Sequence, residues 1–345
     1  MSAVGQPAPG ARLEGDGVGA ILARGGAPLR ELMGRTERHL ERVTAEAGAP
    51  LAAYANATVA AGGKRLRPLL VVLAAQSAGG PAPVPDGEER LVRAAVAVEL
   101  VHSATLVHDD VIDGAALRRG RPTVAAAAGR GAAVATGDLL FSRAFAELAR
   151  NDDAAQLQAL SQASSALAEG ELLQREDAYA AHVAVERYLR RCELKTAALF
   201  EAACRLGALT AARGSADLAG ALGGFARQIG LAFQLLDDVL DVSGPVERTG
   251  KSRGTDLLDG TVTLPFILAR EREESLAEVR LDRLDGPSEA EALCDRIAAT
   301  GALDEARERA LALVAEAKAS LPAILPGGRS ELLELVADAV VERYR

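Results

Sequence analysis

The sequence predicts an all-α fold, and three observations carry this prediction. Apolar residues recur every three or four positions from Pro28 onward, as one buried face of a helix requires. The chain shows no sustained alternation of apolar and polar residues bounded by turn residues, which would indicate strands. Segments rich in Gly, Pro and Asp separate the apolar stretches, so we expect many helices packed around one core.

The domain organisation follows from the same pattern. Residues 1–25 are rich in Gly, Ala and Pro without periodicity, which predicts a disordered N-terminal arm. Residues 26–345 show neither a linker nor a repeat of fixed period, so we expect a single all-helical domain. The clearest helix covers residues 89–113, where Leu91, Ala95 and Val98 are spaced by three or four. Loops are predicted at 77–87, 114–122, 151–153, 243–254 and 286–288.

Composition narrows the classes of function. A net charge of −9 argues against a nucleic-acid partner, because an acidic chain repels phosphate backbones. The three cysteines fit neither a disulfide framework nor a zinc site, which indicates buried thiols in a reducing cytoplasm. We find no apolar run of the length needed to cross a bilayer and no signal peptide, so we expect a cytoplasmic protein without stable membrane insertion.

Two acidic motifs follow apolar helical stretches. They contain Asp109, Asp110 and Asp113 in DDVID, and Asp237, Asp238 and Asp241 in DDVLD. Positions i and i+4 share a helix face, so the first and last carboxylates of each motif point the same way. Carboxylates at a helix C-terminus oppose the helix dipole, and a bound cation would remove that cost. Magnesium binds through a few carboxylates plus phosphate oxygens, so two such clusters facing each other could hold a diphosphate. One motif alone could equally be a solvated acidic helix end; two copies make that interpretation weaker.

Basic residues cluster near these motifs. GGKRLRP contains Lys64, Arg65 and Arg67 after two glycines, which let a backbone approach an anion, but taken alone it is better explained as a solvated basic helix start. Arg118 and Arg119 follow the first acidic motif, where they could form salt bridges or grip a diphosphate. His102, seven residues before Asp109 on the same helix, is by itself most typical of a core histidine.

Taken together, the motifs GGKRLRP, HSATLVHDDVID, LRRGRPT, KTAALF, FQLLDDVLD and GKSRGTDL, in this order, resemble the trans-polyprenyl diphosphate synthase family. The resemblance covers roughly residues 30–325. It implies the isoprenoid synthase type I fold, a helical bundle around a central cavity, and usually a homodimer. It also implies a magnesium-dependent prenyltransferase that condenses an allylic diphosphate with isopentenyl diphosphate.

The resemblance assigns roles to individual residues. The metal ligands would be Asp109, Asp110, Asp113, Asp237, Asp238 and Asp241. The allylic substrate would contact Arg118, Lys195, Thr196, Gln234 and Lys251, with Lys195 also counted among the catalytic residues. Isopentenyl diphosphate would contact Lys64, Arg67, His102 and Arg119.

Two features bear on substrate binding and product length. Thr261 stands where the family often has a second lysine after the GKSRGTDL segment, so we expect weaker allylic binding. The residues one or more turns before Asp109 are small or medium in size: Ala97, Val101, Ala104 and Thr105. DDVID also lacks the insertion typical of bacterial short-chain enzymes, so we expect a long-chain product, with Phe141 or Phe145 as candidate floor of the cavity.

Three alternatives are weighed against prenyl transfer. A class I terpene cyclase would share the fold, but it would lack the isopentenyl pocket and would use aromatic residues, which make up only 3% of this chain. A non-catalytic subunit of a heteromeric synthase could lose its aspartates, yet both motifs are intact. A purely structural bundle leaves the co-occurring motifs unexplained.

Overall fold

The computed structural model describes residues 16–180, 182–212, 214–244, 253–325, 327 and 329–342. The helices up to residue 177 are α1 (Asp16–Ala45), α2 (Leu51–Ala60), α3 (Leu66–Ser77), α4 (Gly87–Ile112), α5 (Val124–Ala128), α6 (Arg130–Ala149) and α7 (Ala154–Asp177). The later helices are α8 (Val185–Cys192), α9 (Ala198–Leu209), α10 (Ala216–Ser243), α11 (Thr255–Leu258), α12 (Leu264–Arg272), α13 (Glu274–Ala277), α14 (Pro287–Ala299), α15 (Ala302–Ile324) and α16 (Glu331–Glu342).

The remaining regular elements are short. A π-helical turn at Glu193–Ala197 joins α8 to α9, and a 3₁₀ turn covers Leu281–Arg283. Within the described ranges, the only strands are β1 (Leu117–Arg118) and β2 (Arg121–Pro122), which pair as a two-residue antiparallel hairpin. The predicted all-α fold is therefore confirmed.

The N-terminal helix starts earlier than the sequence analysis expected. The predicted arm ended at residue 25, whereas α1 begins at Asp16 and residues 1–15 lie outside the described ranges. Val18, Ile21 and Leu22 recur at helical spacing and are buried, which explains the earlier start. Gly26 has a left-handed backbone (φ 71°) inside α1, and this kink separates the first turns from the long second part.

Two compact units can be distinguished among these helices. Among the described residues, the first unit lies within 16–162, 199–223 and 321–339, and the second lies within 163–198, 224–320 and 340–342. The expected single domain over residues 26–345 stays a prediction.

In the first unit, α4 is the central helix. It packs against α1, α3 and α6, and its side chains are buried on nearly every side from Leu91 to Val101. Helix α4 is also long and apolar enough to span a bilayer, so the expectation that no apolar run has this length was wrong. Because 72% of its apolar window is buried inside the protein, its composition is that of a core helix.

In the second unit, α12 packs against α8, α13 and α14, and α11 packs against α14. Arg191 of α8 is buried and donates to the carbonyl of Val262 at 2.5 Å and to Asp177 at 3.3 Å. These bonds tie α8 and the end of α7 to the segment that leads into α12. The cysteines Cys192, Cys204 and Cys294 are buried free thiols, as expected.

The contact between α3 and α9 depends on a glycine. A Cβ at Gly207 would lie 2.1 Å from the carbonyl oxygen of Val71 and 2.9 Å from the Cβ of Ala74. We therefore expect Gly207→Ala to destabilise the protein by about 1–3 kcal/mol through overpacking, measured as the free energy of unfolding in urea.

The matched control is Gly220→Ala in α10, where a Cβ would meet nothing within 4 Å. This substitution should stabilise the protein by about 0.5–1 kcal/mol, since alanine is the better helix former. Equal effects of the two substitutions would contradict the close α3–α9 contact.

Candidate active site

The turn before α3 presents two basic side chains of the predicted site. Arg65 lies between them as the N-cap residue of α3, with a left-handed backbone (φ 50°, ψ 35°). Its guanidinium is buried and donates to Glu37 at 2.7 Å, to Glu99 at 2.7 Å and to the carbonyl of Val59 at 2.8 Å. Lys64 is exposed and Arg67 is half-buried in the first turn of α3.

Arg67 lies beside this turn, close enough to His102 for its charge to act on the imidazole. The Arg67 guanidinium lies 4.9 Å from the centre of the Phe200 ring, and its buried Nε has no hydrogen-bond partner within the described parts of the chain. Burial lowers the pKa of Arg67 to about 10, against the opposing charge of Glu99, so Arg67 stays cationic at neutral pH. An unpaired buried N–H is costly, which indicates a place for an acceptor from a ligand.

His102 is neutral in this setting. Burial lowers the pKa of His102 well below 6.5, and the neighbouring cations act in the same direction. These cations, in decreasing order of effect, are Arg67, Arg119, Arg65 and Arg118. Three residues of the predicted isopentenyl site, Arg67, His102 and Arg119, are thus electrostatically coupled.

The hairpin after α4 separates the two neighbouring arginines. Arg119 and Gly120 both have positive φ (52° and 72°), as a type I′ turn requires. Arg119 points to the turn before α3, because a Cβ at Gly63 would lie 3.2 Å from its Nη1. Arg118 instead donates from Nε to Asp110 at 2.7 Å. The sequence left open whether these arginines form salt bridges, and Arg118 does form one, with Asp110.

The first acidic motif ends α4. Asp109 is half-buried, Asp110 is buried and Asp113 is the exposed C-cap residue, whose backbone N–H donates to the Asp109 carbonyl at 2.8 Å. Asp109 and Asp113 share a helix face, as predicted. Phe141 stacks on His108 at 5.9 Å, which places this candidate floor residue beside the motif itself.

The second acidic motif lies in the last turns of α10, in the second unit. Asp238 is buried and accepts hydrogen bonds from the Tyr188 hydroxyl at 2.6 Å and from Gln234 at 2.8 Å. Gln234 in turn accepts from Thr196 at 2.6 Å. Burial and the charge of Asp256 raise the pKa of Asp238 to about 8, although the bonds from Tyr188 and Gln234 act in the opposite direction.

Lys195 and Thr196 occupy the π-helical turn between α8 and α9. Such turns occur frequently at functional sites. Gly170 of α7 allows the close approach, because a Cβ there would lie 2.6 Å from the Lys195 backbone nitrogen. The Lys195 ammonium pairs with Glu171. Burial alone would raise the pKa of Glu171, but the charges and hydrogen bonds of Lys195 and Arg175 outweigh it and lower that pKa.

The carboxylates of the two aspartate motifs are suitable ligands for a hard divalent cation. Carboxylate oxygens are the ligands magnesium prefers, and each motif presents two of them on one helix face. Among the described residues, no three His, Cys, Asp or Glu side chains are gathered into a complete metal cluster. A magnesium site does not require one, because the ion usually keeps waters and takes phosphate oxygens as further ligands.

The structure thus groups the predicted residues in two sets. The first unit holds Lys64, Arg67, His102, Asp109, Asp110, Asp113, Arg118 and Arg119. The second unit holds Lys195, Thr196, Gln234, Asp237, Asp238 and Asp241. Lys251 lies outside the described residues.

Sequence reasoning missed several partners of these groups. They are Glu37, Glu99, Glu171 and Tyr188, and the buried ion pairs of Arg65 in GGKRLRP were missed with them. Only Glu99 carried a signal, since it precedes His102 by three residues and so shares its helix face.

Comparison with known proteins gives a consistent result. The sequence model of the family described as polyprenyl synthetase matches residues 49–298. The chain is 40% identical over 254 residues to heptaprenyl diphosphate synthase component 2 of Geobacillus stearothermophilus, covering 73% of this chain and 76% of that protein. It is 37% identical to geranylgeranyl diphosphate synthase of Methanosarcina mazei, covering 83% and 87%.

A solved structure agrees with these relatives. The polyprenyl synthase of Caulobacter crescentus, in complex with calcium and isoprenyl diphosphate, superposes with a TM-score of 0.85 at 35% identity and covers 94% of this chain and 97% of that one. The chain therefore belongs to the polyprenyl synthetase family.

Proposed function

We propose that this chain is a trans-prenyltransferase that condenses an allylic diphosphate with isopentenyl diphosphate and releases diphosphate. The observation that best supports the proposal is the order of groups on α4. His102 is under the charge of four arginines, and Asp109 begins an acidic motif seven residues later. At 1.5 Å rise per residue, roughly 10 Å separate His102 from Asp109. The cationic residues around His102 suit a phosphate without metal, and the aspartates suit a phosphate that is bound to metal.

The cationic group is proposed to bind isopentenyl diphosphate. Lys64, Arg67 and Arg119 supply positive charge, and neutral His102 can donate or accept a hydrogen bond. Arginines suit this task because their planar fork matches phosphate oxygens bidentately. The orphaned Nε of Arg67 would then gain a phosphate oxygen as acceptor.

The acidic group is proposed to bind the allylic diphosphate through magnesium, using the six aspartates of both motifs. When bound, magnesium neutralises the charge that develops as diphosphate leaves carbon. Lys195, Thr196 and Gln234 are proposed to contact the same diphosphate, together with Arg118 and Lys251. Lys195 is held in place by Glu171, and Gln234 is oriented by Thr196 and Asp238.

The proposed chemistry needs no protein nucleophile. The allylic carbon–oxygen bond breaks with both electrons going to the leaving diphosphate, and the double bond of isopentenyl diphosphate attacks the carbocation. Loss of a proton to the released diphosphate restores a double bond. The chain contributes positioning and electrostatic stabilisation.

A long-chain product is part of the proposal. Ala97, Val101 and Ala104, in the turns before Asp109, are small and buried, and α4 carries no Phe, Tyr or Trp in these turns. The names of the relatives span heptaprenyl and geranylgeranyl diphosphate synthases, so they support the reaction class more than one length.

The assembly and location are proposed as a cytoplasmic homodimer. Its three buried free thiols are those of a reducing compartment. A relative named as component 2 of heptaprenyl diphosphate synthase makes a heteromeric enzyme the competing arrangement. Intact aspartate motifs favour a chain that catalyses by itself.

Product analysis tests the proposed function. The purified full chain is incubated with magnesium, labelled isopentenyl diphosphate and allylic primers of three lengths, and the dephosphorylated products are sized. We expect a ladder of linear prenyl alcohols that ends at a long chain, and we expect Asp109→Asn to abolish it.

Other products would contradict the proposal in distinct ways. A cyclic hydrocarbon made from the primer alone would indicate a terpene cyclase. No turnover with any primer would favour a non-catalytic subunit. A ladder that stops after one or two additions would keep the reaction and overturn the long-chain assignment.

The neutral state of His102 predicts a pH dependence of stability. Because the folded-state pKa lies below 6.5, the unfolded state binds a proton that the folded state does not, and stability falls as pH drops below 6.5. The free energy of unfolding should therefore be lower at about pH 5.5 than at about pH 7.5. We expect His102→Gln to remove that contribution, as measured by urea unfolding at both pH values.

The matched control is His182→Gln, because His182 is exposed and lies in the second unit. That variant should keep the full pH dependence of the wild type. Identical curves for the wild type and His102→Gln would show that His102 is not held neutral.

A further inference from the structure

Arg65 lies between two residues of the proposed isopentenyl pocket but does not belong to it. Its side chain is only 3% exposed, whereas Lys64 is exposed. Its guanidinium donates to Glu37 through Nε and Nη2, to Glu99 through Nη1, and to the carbonyl of Val59. Its donors are thus directed into the protein, which leaves the binding of a substrate phosphate to its neighbours.

The backbone of Arg65 adopts a conformation that its own sterics disfavour. A left-handed φ of 50° is uncommon for a residue with a long side chain, and it reverses the chain direction between Lys64 and the first turn of α3. Such conformations persist where surrounding contacts hold them. Here the contacts come from three helices, through Glu37 of α1, Val59 of α2 and Glu99 of α4.

Glu99 connects this turn to the rest of the pocket. It lies three residues before His102 on α4, so both side chains share one helix face. Glu99 also acts on Arg67 through its charge. The buried acids Glu37 and Glu99 balance the arginines Arg65 and Arg67, and removal of one partner from such a buried set leaves an uncompensated charge.

From these observations we infer that Arg65 is a positioning residue, which fixes Lys64 and Arg67 for isopentenyl diphosphate by anchoring their turn to Glu37 and Glu99. The inference rests on the proposed function. Loss of Arg65 would weaken the binding of isopentenyl diphosphate but not that of the allylic diphosphate, because all anchors of Arg65 lie around the cationic group. Arg65 therefore sets the affinity for one of the two substrates.

The test compares Arg65→Gln, Arg65→Lys and Glu37→Gln with the wild type. For each full-length protein, KM is measured separately for isopentenyl diphosphate and for the allylic primer, and the Kd of isopentenyl diphosphate is measured by calorimetry without magnesium. We expect Arg65→Gln and Glu37→Gln to raise KM and Kd for isopentenyl diphosphate between about tenfold and a hundredfold, with the allylic KM little changed. Arg65→Lys keeps the positive charge but lacks the planar guanidinium with its several donors, so it should recover part of the lost affinity for isopentenyl diphosphate.

Glu147→Gln is the matched control. Glu147 and Glu37 are buried glutamates of the same unit, each 6% exposed, but Glu147 pairs with His39 at 2.7 Å. This variant should lose stability without changing either KM. Equal shifts for Glu37→Gln and Glu147→Gln, or a rise of both KM values together in Arg65→Gln, would overturn the inference.

Two further outcomes keep the result unambiguous. If Arg65→Gln fails to fold in a thermal unfolding assay, Glu37→Gln decides, since it preserves shape and removes only one charge. If the wild type forms no prenyl product, the proposed function fails, and the Kd values alone then support or overturn the positioning role of Arg65.

Discussion

The buried ion pairs of Arg65 with Glu37 and Glu99 are the interaction on which the proposed binding surface of the first unit depends. Charges out of water are costly unless they are paired and hydrogen-bonded, and here each acid accepts a bond of 2.7 Å from the guanidinium. The ion pairs hold α1 and α4 against one turn, and the bond from Arg65 to the Val59 carbonyl adds the end of α2. Lys64 and Arg67 take their places from that turn, one exposed and one half-buried.

Helix α4 sets the distance between two chemical environments, the cationic turn before α3 and the acidic motif at its own C-terminal end. Glu99 and His102 share its face near the cationic turn, and Asp109 and Asp110 end the same helix. A helix is stiff, so the two environments stay about two turns apart. Bare positive charge at one level and carboxylates at the other suit a phosphate bound directly and a phosphate bound through a metal. The two substrates of a condensing enzyme require such a difference, because each must be held without exchanging places.

The sequence alone was sufficient to predict those parts of the fold and of the candidate site that depend on local periodicity. Helical spacing predicted α4, and the i, i+4 relation placed Asp109 and Asp113 on one face, as observed. The missed features depend on tertiary contacts. Arg65 pairs with Glu37 and Glu99, which lie 28 and 34 residues away in the sequence, and Lys195 pairs with a glutamate 24 residues away. Local sequence patterns carry no information about partners at such separations. Spacing alone did not distinguish Arg118 from Arg119, and the family resemblance assigned them to different substrates; the type I′ turn is the tertiary feature that separates them. The apolar length of α4 was underestimated because a central core helix is apolar on nearly every side.

We propose that isopentenyl diphosphate is bound by side-chain cations alone, whereas binding of the allylic diphosphate requires metal in addition to its side-chain contacts. Calorimetric titration of the full chain with each substrate, in magnesium and in excess chelator, tests this claim most directly. We expect isopentenyl diphosphate to bind equally well in both conditions, whereas binding of the allylic diphosphate disappears in chelator. Loss of isopentenyl diphosphate binding in chelator would contradict it, because Lys64, Arg67 and Arg119 would then not suffice to hold a phosphate.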